Sequence, residues 1–230
     1  KKSAVVLADS DPIDESSTKE GSTQLDWIVP FDRDLVLISD PGSAQFVVTG
    51  GGITPSNASM VLTTSYQMSG NTRPVTTGRT IIFPFLNGRF SGLKEFFTND
   101  TVATNGADTL TEVQSKYIPG SIDHMASSEN FNLLLVTSDD EDTKETVWVY
   151  KYLWDGGERL QASWSKWEFS EEVKHVFFDN SVVYFTMYFN GVFRLVCLYL
   201  NKPIDETFGY HASIDRKTVH VAQGEDEYSY

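Results

Sequence analysis

Four times along the chain a short strand-forming run meets a tight polar turn and continues into a strongly apolar run. The four are "WIVPFDRDLVLIS", "PVTTGRTIIFPF", "HMASSENFNLLLVT" and "VFFDNSVVYFTM", with apolar runs starting at Leu35, Ile81, Leu133 and Val182, at spacings of 46, 52 and 49 residues. Several continue through a further polar turn into another strand, as in "LISDPGSAQFVVTG", "FPFLNGRFSGLKEF" and "TMYFNGVFRLVCLYL". Short β-branched and aromatic runs bounded by Gly, Asn, Asp and Pro are all-β grammar. A unit of roughly 45–50 residues holding several antiparallel strands has the size of a propeller blade. Such a unit buries its faces only against its neighbours, which gives repetition at this period a physical cause. The expected fold is therefore all-β and β-propeller-like, with about four blade-like modules; a large sandwich with irregular hairpins is the alternative. The pairs Asn87-Gly88 and Asn190-Gly191 predict type I′ hairpin turns, whose central residues both need positive φ. Helical periodicity is confined to a possible turn near Leu93 to Phe97.

Outside the repeats the character changes. Residues 1–25 are polar, acidic and turn-rich, with one apolar patch at Ala4 to Ala8, and read as an arm or linker. Residues 26–200 form the propeller-like domain, and 201–230 a C-terminal segment leading to a neighbouring domain. A chain beginning "KKSAVV" reads as a piece of a longer polypeptide. The longest apolar runs, such as "FRLVCLYL", are too short to cross a bilayer, so no membrane insertion by this segment is expected. Against 32 acidic residues stand 18 basic ones, a net charge of −14. That balance argues against tight nucleic-acid binding, which requires Lys and Arg to neutralise phosphates, and against adhesion to anionic membranes.

No motif predicts a catalytic, cofactor-binding or metal residue. His124, His175, His211 and His220 are scattered, without metal-ligand spacing, and His124 and His175 read as partly exposed strand residues. The single cysteine, Cys197, lies in an apolar run and reads as a buried small hydrophobe. "GGGITPS" at Gly50 to Ser56 lacks the lysine of a phosphate loop. The contiguous Asp139, Asp140, Glu141 and Asp142 lack the alternation and glycine of a calcium loop, and read as a solvated hairpin tip. Asn57 and Asn99 match glycosylation sequons, which matter only in a secreted eukaryotic protein. Paired carboxylates of a glycosidase are not singled out in so acidic a chain.

Trp148 to Phe169, "WVYKYLWDGGERLQASWSKWEF", holds four of the five tryptophans. Strand alternation puts Trp148, Tyr150, Tyr152 and Trp154 on one face, and Val147, Val149, Lys151 and Leu153 on the other. After "DGGE", Trp164, Lys166 and Glu168 alternate with Ser165, Trp167 and Phe169. Such a row of rings either packs against the next sheet, each burying a large area, or stands exposed to stack on sugars or bases. Packing is the expected outcome.

This segment, "YKYLWDGGERLQASWSKWEF", resembles the tail tubular protein B (nozzle protein) family of T7-like short-tailed bacteriophages. "SKYIPGSIDHMASSENFNLLLVTS" and "FVVTGGGITPSNASMVLTTSYQMSGNTRPVTTGRTIIF" resemble the same family in the same order. The matches run from about Leu35 to Phe169, somewhat over half of the chain. The resemblance implies a non-enzymatic virion component without cofactor, part of a sixfold homo-oligomeric ring below the adaptor ring of tail tubular protein A. Tail fibres are a further implied neighbour, and genomic DNA passes through the ring's channel without sequence-specific binding. It also implies a propeller-like domain within a much longer protein. With that role, part of the acidic surface is expected to face the conduit, where repulsion keeps DNA from adhering. The alternative is a stand-alone propeller that binds glycan or protein through exposed aromatics.

Overall fold

The computed structural model describes residues 11–13, 24–31, 34–39, 44–49, 54–55, 57–69, 71–78, 80–99, 104–155, 158–200, 220–221 and 227–228. Most of the expected arm at 1–25, its Ala4 to Ala8 patch included, and most of 201–230 lie outside these residues. Strands dominate, and four antiparallel sheets follow one another along the chain. The first contains β1 (Leu25–Phe31), β2 (Asp34–Ser39), β3 (Ala44–Thr49) and β4 (Ser59–Thr64). The second contains β5 (Val75–Thr77), β6 (Thr80–Asn87), β7 (Phe90–Asn99) and β8 (Thr104–Thr109), with β9 (Ile118–Pro119) paired beside β7. The third contains β10 (Ile122–Ser128), β11 (Leu133–Ser138), β12 (Thr146–Asp155) and β13 (Glu158–Glu168). The fourth contains β14 (Glu172–Asp179), β15 (Val182–Phe189) and β16 (Val192–Tyr199). A separate short pair joins β17 (His220–Val221) to β18 (Glu227–Tyr228).

The all-β expectation of blade-like modules holds, and the repeat maps onto it directly. Each expected apolar run is the second strand of its sheet: β2, β6, β11 and β15. All six residues of β11 are buried, as a near-continuous apolar strand covered on both faces should be. Three of the sheets also share a fine feature. The first strand pair shifts register after Leu25, Ile122 and Val173, so that Trp27, His124 and His175 occupy equivalent places past a bulge.

Successive sheets pack face to face through separate apolar layers. Val29, Val36, Ile38 and Val47 of the first sheet meet Ile81, Phe83 and Phe96 of the second. Ile82 and Leu93 of the second meet Leu134, Val136, Trp148, Tyr150 and Tyr152 of the third. On its other face the third sheet sets Leu133, Leu135, Val147 and Val149 against Val173, Val176, Val183 and Phe185 of the fourth. No sheet could bury both faces alone, which is the reason for the repeat.

Two local expectations are corrected. Leu93 to Phe97 is not a helical turn but the middle of β7, paired to β6 and β8. Its Leu, Lys and Glu favour helix only weakly, and pairing on both edges overrides that preference. The Asn87-Gly88 turn is also not type I′. Asn87 pairs with Phe90 as the last strand residue, leaving Gly88 and Arg89 at the centre, and only Gly88 has positive φ (65°). A turn with positive φ at the first central position alone is met by glycine there. At Asn190-Gly191 both central residues have positive φ, 48° and 81°, as expected. Gly92 on β7 is required for packing, since a Cβ there would lie 2.4 Å from the Phe85 ring opposite.

Candidate functional site: the tryptophan hairpin and the sheet junctions

β12 and β13 form a long hairpin in the expected register, with Trp148 opposite Lys166 and Tyr150 opposite Trp164. Trp148 is fully buried, and its indole Nε1–H donates to the Tyr117 carbonyl at 3.1 Å. The Trp164 indole donates to the Leu110 carbonyl at 3.2 Å, and its ring lies 5.0 Å from that of Tyr150. Lys166 extends its ammonium over the Tyr117 ring at 5.0 Å, a cation–π contact that closes this face. On the other face Trp167 packs edge-on to Phe185 of the fourth sheet at 6.4 Å. These three rings are therefore packing rings, as the strand alternation predicts.

Trp154 departs from the expected row. A register shift between Leu153 and Trp154 breaks the alternation, and the Trp154 ring is 42% exposed beneath the Arg159 guanidinium at 4.6 Å. That guanidinium also forms an ion pair with Glu95 of β7, whose side chain is buried and takes a further hydrogen bond from Thr80 at 3.0 Å. The hairpin tip is thus tied back to the second sheet. Beside this pair the Tyr150 and Tyr152 hydroxyls are buried without a hydrogen-bond partner among the described residues. Burial raises both phenols, with nearby Glu129 and Glu95 adding to it for Tyr152, which is pushed up to about 12. No sequence motif announces Glu95 and Arg159, 64 residues apart.

The histidines that looked scattered are brought together in part. The rings of His124 and His175 meet edge-on at 4.1 Å, where β10 passes β14 at the junction of the third and fourth sheets. Both are partly exposed or exposed strand residues, as expected. Burial lowers the His124 pKa and His175 assists, while Asp123, 3.6 Å away, opposes. Their equivalent places in two modules were the available signal. The side chain of His220 and all of His211 lie outside the described residues.

Asp139 to Asp142 form the β11–β12 connection, and two of the four carboxylates serve the backbone. Asp139 accepts from the Ser121 N–H at 2.7 Å, and Asp140 caps a one-turn 3₁₀ segment through the Asp142 N–H at 3.2 Å. Glu141 and Glu172 both reach Lys144, at 2.5 and 3.6 Å. Hydrogen bonding from Lys174 lowers the Glu172 pKa, with Lys144 helping. Among the described residues no group of three or more His, Cys, Asp or Glu is placed to hold a metal. The depression between Asp123, Lys144 and Glu172 holds about 210 Å³, and one beside Phe85 and Gly92 about 180 Å³. Both fall below the usual range of small-molecule sites, roughly 300–1,000 Å³. Cys197 is exposed on β16, not buried as its apolar neighbours predict. β16 is exposed along its whole length. Among the described residues no helix is long and apolar enough to cross a membrane.

Sheets packed in series, with ring-to-carbonyl and ion-pair ties between them, define a structural β-protein whose framework is its most developed feature. The chain belongs to the bacteriophage nozzle protein family, which matches residues 1–229. It is 31% identical over 170 residues to the tail tubular protein gp12 of Escherichia phage T7, a match that covers 73% of this chain and 21% of that protein. The chain thus spans about a fifth of the length of the relative it matches.

Proposed function

We propose that this chain is a structural segment of the tail nozzle of a short-tailed phage, forming part of the wall through which DNA leaves the virion. The match to the nozzle family along residues 1–229 carries this reading. The chain is a phage tail component, and its work is assembly and containment rather than catalysis. Residues 26–200 are the propeller-like wall domain, 1–25 an arm, and 201–230 the lead into a neighbouring domain. The complete protein forms a homo-oligomeric ring, of six copies on the family resemblance, seated against the adaptor ring of tail tubular protein A, with tail fibres nearby. Serial packing of blade-like sheets supports the wall role, since ties such as Arg159–Glu95 hold neighbouring sheets together. The net charge of −14 suits a surface past which DNA moves without sticking.

Electron microscopy of the intact protein tests this reading. Sixfold rings with this segment in the ring wall are expected, and a protein that remains monomeric beside its adaptor partner would overturn it. An assembled channel lined by Lys and Arg, with the acids outside, would sink the charge argument alone.

A further inference from the structure

The third and fourth sheets meet along their first strands, β10 and β14, and there the rings of His124 and His175 lie 4.1 Å apart. The two hold equivalent places, each just past the bulge in its sheet's first strand pair. His124 is partly buried and His175 is exposed, so protons reach the pair from water. While the imidazoles are neutral, an edge-on pair of rings is attractive. When both are protonated, two like charges stand ring against ring at a partly desolvated junction, and repulsion replaces attraction.

The neighbouring charges are largely committed elsewhere. On β10, Asp123 lies 3.6 Å from His124 and is half exposed. On β14, Lys174 and Glu172 pair with each other at 2.5 Å, and Glu172 also reaches Lys144, which pairs with Glu141. Asp139 accepts from the Ser121 N–H. β11 sets Thr137 opposite His124, and β15 sets Thr186 opposite His175, its tyrosines lying against Phe177 and Phe193. β12 contributes Lys151, held by the Phe131 carbonyl. β5 carries no titratable residue; Arg73, before it, follows Thr72, whose hydroxyl bonds the Ile122 carbonyl. Burial lowers the His124 pKa, Asp123 opposes, and His175 lowers it further.

We propose that the His124–His175 contact is an acid-sensitive latch between the third and fourth sheets: closed while the imidazoles hold at most one proton, and sprung when both are charged, which frees β14 from β10 at that point. The unfolded chain takes up protons from the ordinary 6.5 downward, before His124 does in the folded one. Stability at the junction is therefore whole above pH 6.5 and falls as pH drops below it. Glu172, whose pKa Lys174 lowers, adds a separate loss that begins only below its ordinary 4.5. The buried layer between the two sheets is apolar throughout, so the loosening is local to the latch.

Proton NMR and amide exchange on the full chain test this. The His124 ring should titrate below 6.5, and His175→Asn should move its midpoint upward, because one like charge is gone. Between about pH 7 and 5, opening constants of the β10 and β14 amides at the junction should rise at least about threefold more than those of β6. The double change His124→Asn with His175→Asn should abolish that excess. The unmodified chain decides even without the variants: a His124 midpoint at or above 6.5, or an equal rise in both sets of amides, overturns the inference. So does a His124 midpoint that ignores His175→Asn, or an excess opening that survives the double change.

Discussion

β12 and β16 occupy the same position in their sheets and have similar compositions, yet their fates are opposite. Each is a third strand, apolar on both faces, with a single basic residue, Lys151 or Arg194. Trp148 and Tyr150 of β12 bury against the second sheet, while Val147 and Val149 bury against the fourth. All eight residues of β16 are exposed. The difference lies in the neighbours. β12 has β13 along its edge and a sheet across each face, whereas among the described residues β16 has β15 alone. In a serial fold, a strand's sequence says that it wants burial, and its place in the series decides whether the described structure provides it.

The largest break in this comparison is Trp148→Ala. It removes a fully buried indole and orphans the Tyr117 carbonyl, for a loss of about 3–5 kcal/mol in urea unfolding. A loss under about 1 kcal/mol would mean that the second and third sheets do not meet as described. Next is Glu95→Ala, which leaves the Arg159 guanidinium unpaired. Breaking a buried pair from one side costs about 3–5 kcal/mol. Arg159 retains partial access to water, so the low end, near 3 kcal/mol, is expected. The double change Glu95→Ala with Arg159→Ala should cost less than the two single losses added, and strict additivity would show that the pair is uncoupled.

Much of this framework was legible from the sequence, and for a physical reason. The second strand of each sheet is covered on both faces, so β2, β6, β11 and β15 stand out as apolar runs after turns. Packing of the tryptophan hairpin was legible because alternation fixes which residues share a face. Trp154 was misread because one bulge reverses that alternation, and bulges leave little trace in composition. Cys197 was misread because apolar neighbours on its own strand say nothing about whether another strand or sheet lies beyond. The His124–His175 meeting and the Glu95–Arg159 tie were hidden because each joins different sheets across long separations. The family was legible from collinear motifs, which carry architecture rather than chemistry.

The tyrosines of β12 give a smaller, pH-dependent test. Burial pushes Tyr152 up to about 12 from the ordinary 10.0. A phenol whose folded pKa is raised stays protonated in the native state while the unfolded chain has begun to lose its proton. Its stabilising contribution is therefore intact below pH 10 and lost as pH rises from about 10 to about 12. Two pKa units set a ceiling of about 2.7 kcal/mol on that loss. Tyr152→Phe should flatten the fall in stability across this window by about 2 kcal/mol, read from urea midpoints between pH 9.5 and 12. An unchanged slope would mean that Tyr152 is not buried beside Tyr150.

The smallest expected effect is on β16, and it sharpens the comparison most. Leu195 lies opposite Thr186, on the face of the fourth sheet turned away from the third. Its side chain is 63% exposed. Leu195→Ala should then change stability by no more than about 0.5 kcal/mol in the isolated chain, the usual range for surface substitutions. The same substitution in the complete, assembled protein distinguishes two meanings of exposure. If a further sheet or subunit covers this face there, the cost rises toward the 2–5 kcal/mol of a buried leucine. If it stays near zero, the face is open in the assembly too, and the contrast between β12 and β16 is a permanent feature of the fold.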